Sequence, residues 1–260
     1  MPARPPLSGR VALLTGVSRR SGIGFALARR LLADGAHVFA TGWPPHDEEM
    51  PWGPDPGGTF AVLDELAGGD ALAFTAADLS LPDAPAAAVE ATVSRFGAVD
   101  VIVVNHARSS HQGLDALTVE ELDRCWATNA RASVLLVKAF AERHAGDRPG
   151  GRVVLFTSGQ HLAPMPEELP YAISKGAIQQ MTASLADALA DRGITVNCVN
   201  PGPVDTGWAS DAARAAAAAR FPAGRWGQPE DVARLVAWLV SDEASWINGQ
   251  TINSEGGFRR

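Results

Sequence analysis

Short apolar runs alternate with longer helix-like segments along the whole 260-residue chain. The runs are rich in Val, Leu and Ala, and the segments between them repeat apolar residues at helical spacing. Strands that alternate with helices predict a parallel sheet covered on both faces. We therefore expect one doubly wound, Rossmann-type α/β domain over residues 1–260. Its seven predicted strands are Arg10–Thr15, Ala36–Thr41, Leu72–Ala76, Val99–Val104, Arg152–Thr157, Ile194–Val199 and Gln250–Asn253.

Right-handed crossovers bring the carboxyl ends of such strands to one edge of the sheet, where ligands bind. Two segments interrupt the alternation. Residues Trp43–Thr59 contain five prolines and are predicted to be a loop-like insertion, with a lid or a subunit contact as alternatives to a plain surface excursion. Residues Ala209–Arg220 are alanine-rich and predict a helix beside a substrate cleft. The other predicted helices are Gly24–Ala33, Ala84–Phe96, Val119–His144, Tyr171–Ala190 and Pro229–Val240.

Composition excludes several classes of function. The formal net charge is −7 and no basic run stands out, which argues against nucleic acid as a partner. No stretch reaches the roughly 18 consecutive apolar residues of a membrane span, and the first residues show no apolar core of a secretory signal. Cys125 and Cys198 are far apart and match no metal-binding spacing. We expect a protein without a metal, with reduced cysteines and a cytoplasmic location.

A glycine-rich turn follows the first predicted strand. It reads Thr15-Gly16-Val17-Ser18-Arg19-Arg20-Ser21-Gly22-Ile23-Gly24 and leads directly into a helix. Strand, glycine turn and helix N-terminus form the arrangement that cradles a pyrophosphate. We therefore predict a dinucleotide site with contacts from Gly16, Ser18, Gly22 and Ile23, in which Gly24 permits close packing of helix on strand.

The end of the second strand lacks the acid that usually holds the ribose hydroxyls of NAD. The chain reads Ala40-Thr41-Gly42-Trp43 there, and no acidic residue occurs before Asp47. Arg19 and Arg20 are candidates to meet a 2′-phosphate instead, although each alone is equally typical of a solvated surface. We expect NADP(H) to be preferred, with NAD(H) as the alternative. Asp78, in front of Leu79, is a candidate ligand of the adenine amino group or a turn residue.

The only tyrosine of the chain, Tyr171, lies four residues before Lys175, one of two lysines. Residues at this spacing share one face of a helix, and an ammonium beside a phenol favours the phenolate. Such a pair is a candidate proton donor and acceptor for carbonyl chemistry. Alone, the pair is equally typical of an ordinary helix, so its meaning depends on its neighbours in the fold.

Taken together, these residues resemble the short-chain dehydrogenase/reductase family over essentially the whole chain. The glycine turn, Asp78-Leu79, the turn Asn105-His106-Ala107, Ser158, the Tyr171 and Lys175 pair, and Pro201-Gly202 occur in the family's order. The branch that contains 3-oxoacyl-carrier-protein reductases and secondary-alcohol dehydrogenases is the most similar. The resemblance implies NAD(P)(H)-dependent interconversion of a ketone and a secondary alcohol, and a homo-oligomer, typically a tetramer.

The resemblance also implies a role for each matching residue. Tyr171 would be the acid/base, Lys175 would hold the nicotinamide ribose and depress the pKa of Tyr171, and Ser158 would polarise the substrate oxygen. Asn129 would support a water-linked proton path to the lysine. The remaining cofactor contacts implied are Asp78, Leu79, Asn105, Pro201, Gly202, Val204 and Thr206.

Two positions depart from the family pattern. Five residues rather than three separate Gly16 from Gly22, and Arg108 stands where the turn after the fourth strand usually has glycine. His106 fills the usual position of a second asparagine. Other functions stay open: reduction of a 3-oxoacyl group on a carrier protein, for which Arg108, Arg124 and Arg131 are a candidate basic patch, or a non-catalytic dinucleotide sensor or scaffold.

Overall fold

A computed structural model describes residues 5–146, 148, 150–209, 214–215 and 218–260. Within these residues, one parallel sheet of seven strands has the order β3-β2-β1-β4-β5-β6-β7. The strands are β1 Val11–Thr15, β2 His37–Gly42, β3 Leu72–Ala76, β4 Val101–Val104, β5 Arg152–Phe156, β6 Thr195–Asn200 and β7 Thr251–Asn253. The seven predicted strands and the doubly wound α/β class are therefore confirmed, with ends that differ by one or two residues.

Helices cover both faces of the sheet. The α-helices are α1 Ile23–Ala33, α2 Pro44–Glu49, α3 Gly58–Leu66, α4 Ala84–Phe96, α5 Val119–Cys125, α6 Ala132–Arg143, α7 Leu169–Leu189 and α8 Pro229–Leu239. A π-helical segment, Trp126–Arg131, joins α5 to α6. Short 3₁₀ turns occupy Gly69–Ala71, Leu114–Ala116, Gly159–His161, Ala190–Arg192 and Asp242–Ala244. In the part of the chain described, no helix is long and apolar enough to cross a membrane.

Two apolar clusters hold the helices to the sheet. Leu14 faces α1, α3 and α8, whereas its neighbour Leu13 faces α4, α6 and α7, because successive strand residues point to opposite faces. Both leucines are fully buried. The central strands are apolar on both faces because helices cover both. Their continuous apolar runs in the sequence reflect this burial.

The order of the strands reverses between β1 and β4, which are neighbours in the sheet and run parallel. Connections therefore leave β1 and β4 in opposite directions and open a crevice beyond their carboxyl ends. The glycine turn follows β1 and the Asn105-His106-Ala107 turn follows β4, so both enter this crevice. The fold brings the predicted cofactor and catalytic segments to one place.

Three expectations about helices need correction or qualification. The loop-like insertion contains a helix, α2, because Pro44 and Pro45 occupy the first turn, where proline is compatible with a helix. A further helix, α3, begins inside the same insertion at Gly58. The single helix predicted over Val119–His144 is divided by the π segment. Half of the residues of the predicted helix Ala209–Arg220 lie outside the described residues.

The contact between α1 and the glycine turn leaves no space for a side chain. A Cβ atom at Gly24 would lie 2.1 Å from the carbonyl oxygen of Gly16. We expect Gly24→Ala to lower the free energy of unfolding by about 1–3 kcal/mol, because the helix must move away from the strand, and to weaken dinucleotide binding. Urea titration and NADPH fluorescence measure both effects.

Gly176→Ala is the matched control. Gly176 lies in α7, and a Cβ atom there meets nothing within 4 Å. This variant should be neutral or more stable by up to about 1 kcal/mol, since alanine loses less backbone entropy in a helix. Equal stability of the two alanine variants would show that the contact between Gly24 and Gly16 is not restrictive.

Candidate active site

A cavity of about 970 Å³ opens at the carboxyl edge of the sheet, beyond β1 and β4. All but two of the predicted site residues line it; Arg20 and Asn129 do not. The lining residues that were predicted are Gly16, Ser18, Arg19, Gly22, Ile23, Asp78, Leu79, Asn105, Ser158, Tyr171, Lys175, Pro201, Gly202, Val204 and Thr206. The tertiary structure therefore gathers the cofactor motif and the catalytic motif in one crevice.

The glycine turn has the shape of a phosphate cradle. Gly16 has φ +80°, and a Cβ atom on it would lie 2.9 Å from the backbone of His106. The side chain of Asn105 donates hydrogen bonds of 3.1 Å to the carbonyl oxygens of Thr15 and Gly16, which ties the turn to the end of β4. Helix α1 begins at Ile23 without a side-chain cap, and its first residues line the cavity, so its first N–H groups are available as anion donors. These residues fit a dinucleotide pyrophosphate.

His106 links the first strand to the π segment. Its ring nitrogens lie 2.8 Å from Thr15 Oγ1 and 2.9 Å from the carbonyl oxygen of Thr128. Burial lowers the pKa of His106 to about 4, so the ring is neutral near pH 7. A neutral ring that donates from Nε2 to Thr128 and accepts at Nδ1 from Thr15 satisfies both contacts. His106 is thus a structural bridge beneath the cofactor turn.

Asn129 lies behind the cavity wall rather than on it. Its amide donates to Ser174 Oγ at 2.8 Å and to the carbonyl oxygen of Arg108 at 3.0 Å, and it accepts from the Arg108 N–H at 2.7 Å. These bonds join the π segment, α7 and the turn after β4. The side chain of Asn129 therefore positions the elements that carry Tyr171 and Lys175, and the proton path stays a prediction.

Ser158, Tyr171 and Lys175 line the cavity together. Ser158 follows β5, while Tyr171 and Lys175 lie one helical turn apart near the start of α7. Lys175 Nζ donates to the carbonyl oxygen of Phe156 at 2.9 Å and lies 5.6 Å from the centre of the Tyr171 ring. Helix α7 is further tied to the end of β5 because Thr157 Oγ1 donates to the carbonyl oxygen of Lys175 at 2.9 Å.

Burial dominates the electrostatics of this trio. It raises the pKa of Tyr171 to about 12, against an opposing hydrogen bond with Ser158, and it lowers the pKa of Lys175 to about 8. Lys175 is not among the groups that shift the pKa of Tyr171 here, and its predicted role in depressing that pKa stays a prediction. Desolvation disfavours the phenolate, and the ammonium donates to a backbone carbonyl rather than to the phenol oxygen.

The two arginines of the glycine turn have different surroundings. Arg19 lines the cavity, where its Nε lies 3.1 Å from Asp47 Oδ1 and its Nη1 donates to the carbonyl oxygen of Thr206 at 3.1 Å. Arg20 forms ion pairs with Asp55 and Glu65 outside the cavity. The expectation that Arg20 faces the cofactor is therefore wrong, because two carboxylates hold it on the surface.

Arg108, which stands where the family usually has glycine, connects the insertion to the turn after β4. Its guanidinium donates to both carboxylate oxygens of Glu121, at 2.9 and 3.0 Å, and to Glu49 of α2 at 3.2 Å. Arg131 donates instead to the carbonyl oxygen of Ser80. Of the predicted basic patch, Arg124 is the exposed member that lines the cavity.

Several lining residues were not predicted from the sequence. The insertion contributes His46, Asp47 and Glu49, and the C-terminal segment contributes Glu255 and Phe258. Acidic and apolar residues of this kind have no signature in a loop-like sequence, so only the folded chain shows their place.

Other candidates have ordinary structural surroundings. Asp78 lines the cavity but also accepts from the Ser80 N–H at 2.9 Å, which is a turn contact. Met165 and Trp208 line the cavity, as an apolar substrate wall requires. Trp226 is buried against Trp208, with ring centres 5.4 Å apart.

The buried ammonium of Lys175 has a measurable consequence for stability. Its folded-state pKa of about 8 is below the unfolded value near 10.4, so the unfolded chain binds more protons between these limits. Below about pH 8 the folded protein carries the full free-energy cost of burying the ammonium. This cost disappears as the pH rises from about 8 to about 10.4. We expect the wild type to gain up to about 3 kcal/mol over Lys175→Met across this pH window, measured by urea titration.

Lys138→Met is the control for this experiment. Lys138 is exposed on α6 and pairs with Glu142, so its removal should leave the pH dependence of stability in this window unchanged. An identical pH dependence in wild type and Lys175→Met would show that the ammonium is not desolvated in solution.

Comparison with known proteins agrees with this arrangement. Residues 16–259 match the model of a family described as enoyl-(acyl carrier protein) reductase. An uncharacterized oxidoreductase of Bacillus subtilis, YjdA, is 40% identical over 254 residues, covering 96% of this chain and 97% of the relative. An NADPH-dependent aldehyde reductase-like chloroplastic protein of Arabidopsis thaliana is 34% identical, covering 97% of this chain and 95% of the relative.

A solved structure is similar over nearly the whole fold. The promiscuous reductase LugOII, whose description reports keto-reduction at C1 during lugdunomycin biosynthesis, has a TM-score of 0.83 and 32% identity, covering 97% of this chain and 98% of that chain. Fold, site and relatives together show that the chain belongs to the short-chain dehydrogenase/reductase family. It is an oxidoreductase of that family, whose members generally use NAD(P)(H).

Proposed function

We propose that the protein interconverts a ketone and a secondary alcohol with NADP(H). The single observation that carries this proposal is that Ser158, Tyr171 and Lys175 line the same cavity as the glycine cradle. Keto-reduction by LugOII, a protein of the same fold, supports the reaction class.

The residues of the site have distinct tasks in this proposal. The bound cofactor supplies or accepts the hydride. Tyr171, protonated near pH 7 because burial raises its pKa, donates the phenol proton to the carbonyl oxygen in the reductive direction. Ser158, already in hydrogen-bond contact with Tyr171, stabilises the same oxygen as negative charge develops. Lys175 places an ammonium beside the phenol and keeps α7 against β5.

For the cofactor we propose NADP(H) over NAD(H), with Arg19 as the cation nearest to a 2′-phosphate. Arg19 lines the cavity, and the last residues of β2 contain no carboxylate for ribose hydroxyls. The NADPH-dependent relative from Arabidopsis thaliana supports the same choice. The guanidinium fork suits a phosphate, which carries about −1.5 to −2 charges at neutral pH.

A carrier-protein substrate is a second candidate, because the matching family model is described as an acyl-carrier-protein reductase. An acidic carrier helix requires exposed basic residues at the cavity mouth. Arg108 is neutralised by Glu121 and Glu49, and Arg131 does not line the cavity, so Arg124 is the member of the predicted patch that is exposed there. A free small-molecule ketone is therefore the better candidate.

A cytoplasmic homo-oligomer, a tetramer by family analogy, completes the proposal. Large exposed apolar side chains support self-association: Trp246 is 96% exposed and Trp126 is 51% exposed. Exposed tryptophans of this size commonly mark contact surfaces.

The decisive test is Tyr171→Phe, assayed by NADPH oxidation with a panel of cyclic and acyclic ketones and a 3-oxoacyl thioester. We expect turnover to fall by a factor of about 10² to 10⁴, because the phenol proton is lost, while NADPH binding measured by fluorescence stays near that of the wild type. We expect Ser158→Ala to lower turnover as well.

Ser94→Ala, which removes a hydroxyl from the exposed face of α4, is the control for loss of a hydroxyl group. Near-wild-type turnover by Tyr171→Phe would exclude the proposed acid. A wild type that binds NADPH but reduces no carbonyl compound would favour the non-catalytic sensor or scaffold.

A further inference from the structure

Asp47 is the acidic side chain of the insertion that reaches Arg19. Helix α2 begins two residues after β2 ends and turns Asp47 into the cavity, where its side chain is 9% exposed. One carboxylate oxygen, Oδ1, lies 3.1 Å from Arg19 Nε and accepts a hydrogen bond of 3.2 Å from Trp52 Nε1. The same tryptophan ring lies 5.3 Å from the guanidinium carbon of Arg19. Asp47 is thus held in place from two sides.

Arg19 is likewise held by contacts on two sides. Its Nε faces Asp47 and its Nη1 donates to the carbonyl oxygen of Thr206, and the side chain is 15% exposed. Burial lowers the pKa of Arg19, and the charges of Asp47 and Asp55 oppose that effect. Asp55 is itself paired with Arg20, which leaves Asp47 as the carboxylate in direct contact with Arg19.

The pair lies where this fold holds the adenosine ribose, beyond the carboxyl end of β2. Thr41, the next-to-last residue of that strand, lines the cavity, and its buried hydroxyl has no hydrogen-bond partner among the described residues. A phosphate brought to Arg19 here would meet the Asp47 carboxylate at close range. In a partly desolvated site, repulsion between like charges is large enough to alter binding.

We propose that Asp47 is a specificity-determining residue whose carboxylate competes with the 2′-phosphate of NADP(H) for Arg19. This inference rests on the proposed role of Arg19 as the 2′-phosphate ligand. NADP(H) must exchange one anionic partner of Arg19 for another, whereas NAD(H) leaves the ion pair intact. Asp47 therefore restrains the preference for NADP(H), and its removal enlarges that preference.

Asp47→Asn tests the competition, because it removes the charge and keeps an oxygen that accepts from Trp52. The dissociation constants of NADPH and NADH are measured by cofactor fluorescence, and those of 2′,5′-ADP and ADP by calorimetry. We expect NADPH and 2′,5′-ADP to bind about tenfold more tightly, equivalent to about 1.4 kcal/mol, while NADH and ADP change by less than about twofold.

Glu48→Gln is the matched control. Glu48 is the next residue of α2, is exposed, and loses the same unit of charge, so a shift caused by net charge alone would appear in both variants. Asp47→Ser, a smaller uncharged side chain, must move the ratio of the two dissociation constants in the same direction. This second variant keeps the test valid if the asparagine is poorly accommodated.

Arg19→Gln, alone and combined with Asp47→Asn, separates this inference from the proposed function. If Arg19 holds the 2′-phosphate, Arg19→Gln weakens NADPH alone, and Asp47→Asn has no further effect in its presence. Equal weakening of NADPH and NADH by Arg19→Gln would refute the role proposed for Arg19.

Two results with Asp47→Asn itself would overturn the inference. If NADH binding weakens while NADPH binding is unchanged, Asp47 is a ligand of the ribose hydroxyls rather than a competitor. If the ratio is unchanged while Arg19→Gln selectively weakens NADPH, Arg19 holds the phosphate without competition from Asp47.

Discussion

Burial of both faces of the parallel sheet is the constraint on which the rest of this structure depends. The central strands are apolar on each side, so helices must cover both, and right-handed crossovers then direct every strand toward the same edge. The reversal of strand order between β1 and β4 opens the crevice at that edge. Packing of the apolar core thus decides where a polar reaction centre can form.

Backbone contacts and buried polar bridges then shape the crevice. Gly24 lies against Gly16, Asn105 holds the turn after β1, and His106 joins Thr15 to the π segment. Asn129 extends the same network to α7 through Ser174. Asn129 is fully buried and Asn105 and His106 are partly buried, so loss of one hydrogen-bond partner in this network leaves another polar group unsatisfied at a cost in stability.

The insertion after β2 contributes acidic side chains to the crevice. Its acids meet arginines on both sides of the crevice, with Asp47 at Arg19 and Glu49 at Arg108. The glycine turn and the cation near it were predicted from the sequence to share one site, and Gly16 and Arg19 do line the same crevice. The partners of those cations were beyond prediction, because α2 is a short helix within a proline-rich segment and its direction is set by contacts made only after folding.

The sequence by itself determined the positions of the strands along the chain, the glycine cradle and the spacing of Ser158, Tyr171 and Lys175. Each of these depends on local periodicity or on short-range geometry. Tertiary structure decided the electrostatics. Burial raises the pKa of Tyr171 although a lysine lies one turn away, and Asp47 holds Arg19 although 28 positions separate them in the chain. Desolvation and long-range ion pairing depend on the packing of distant segments, which no local pattern records.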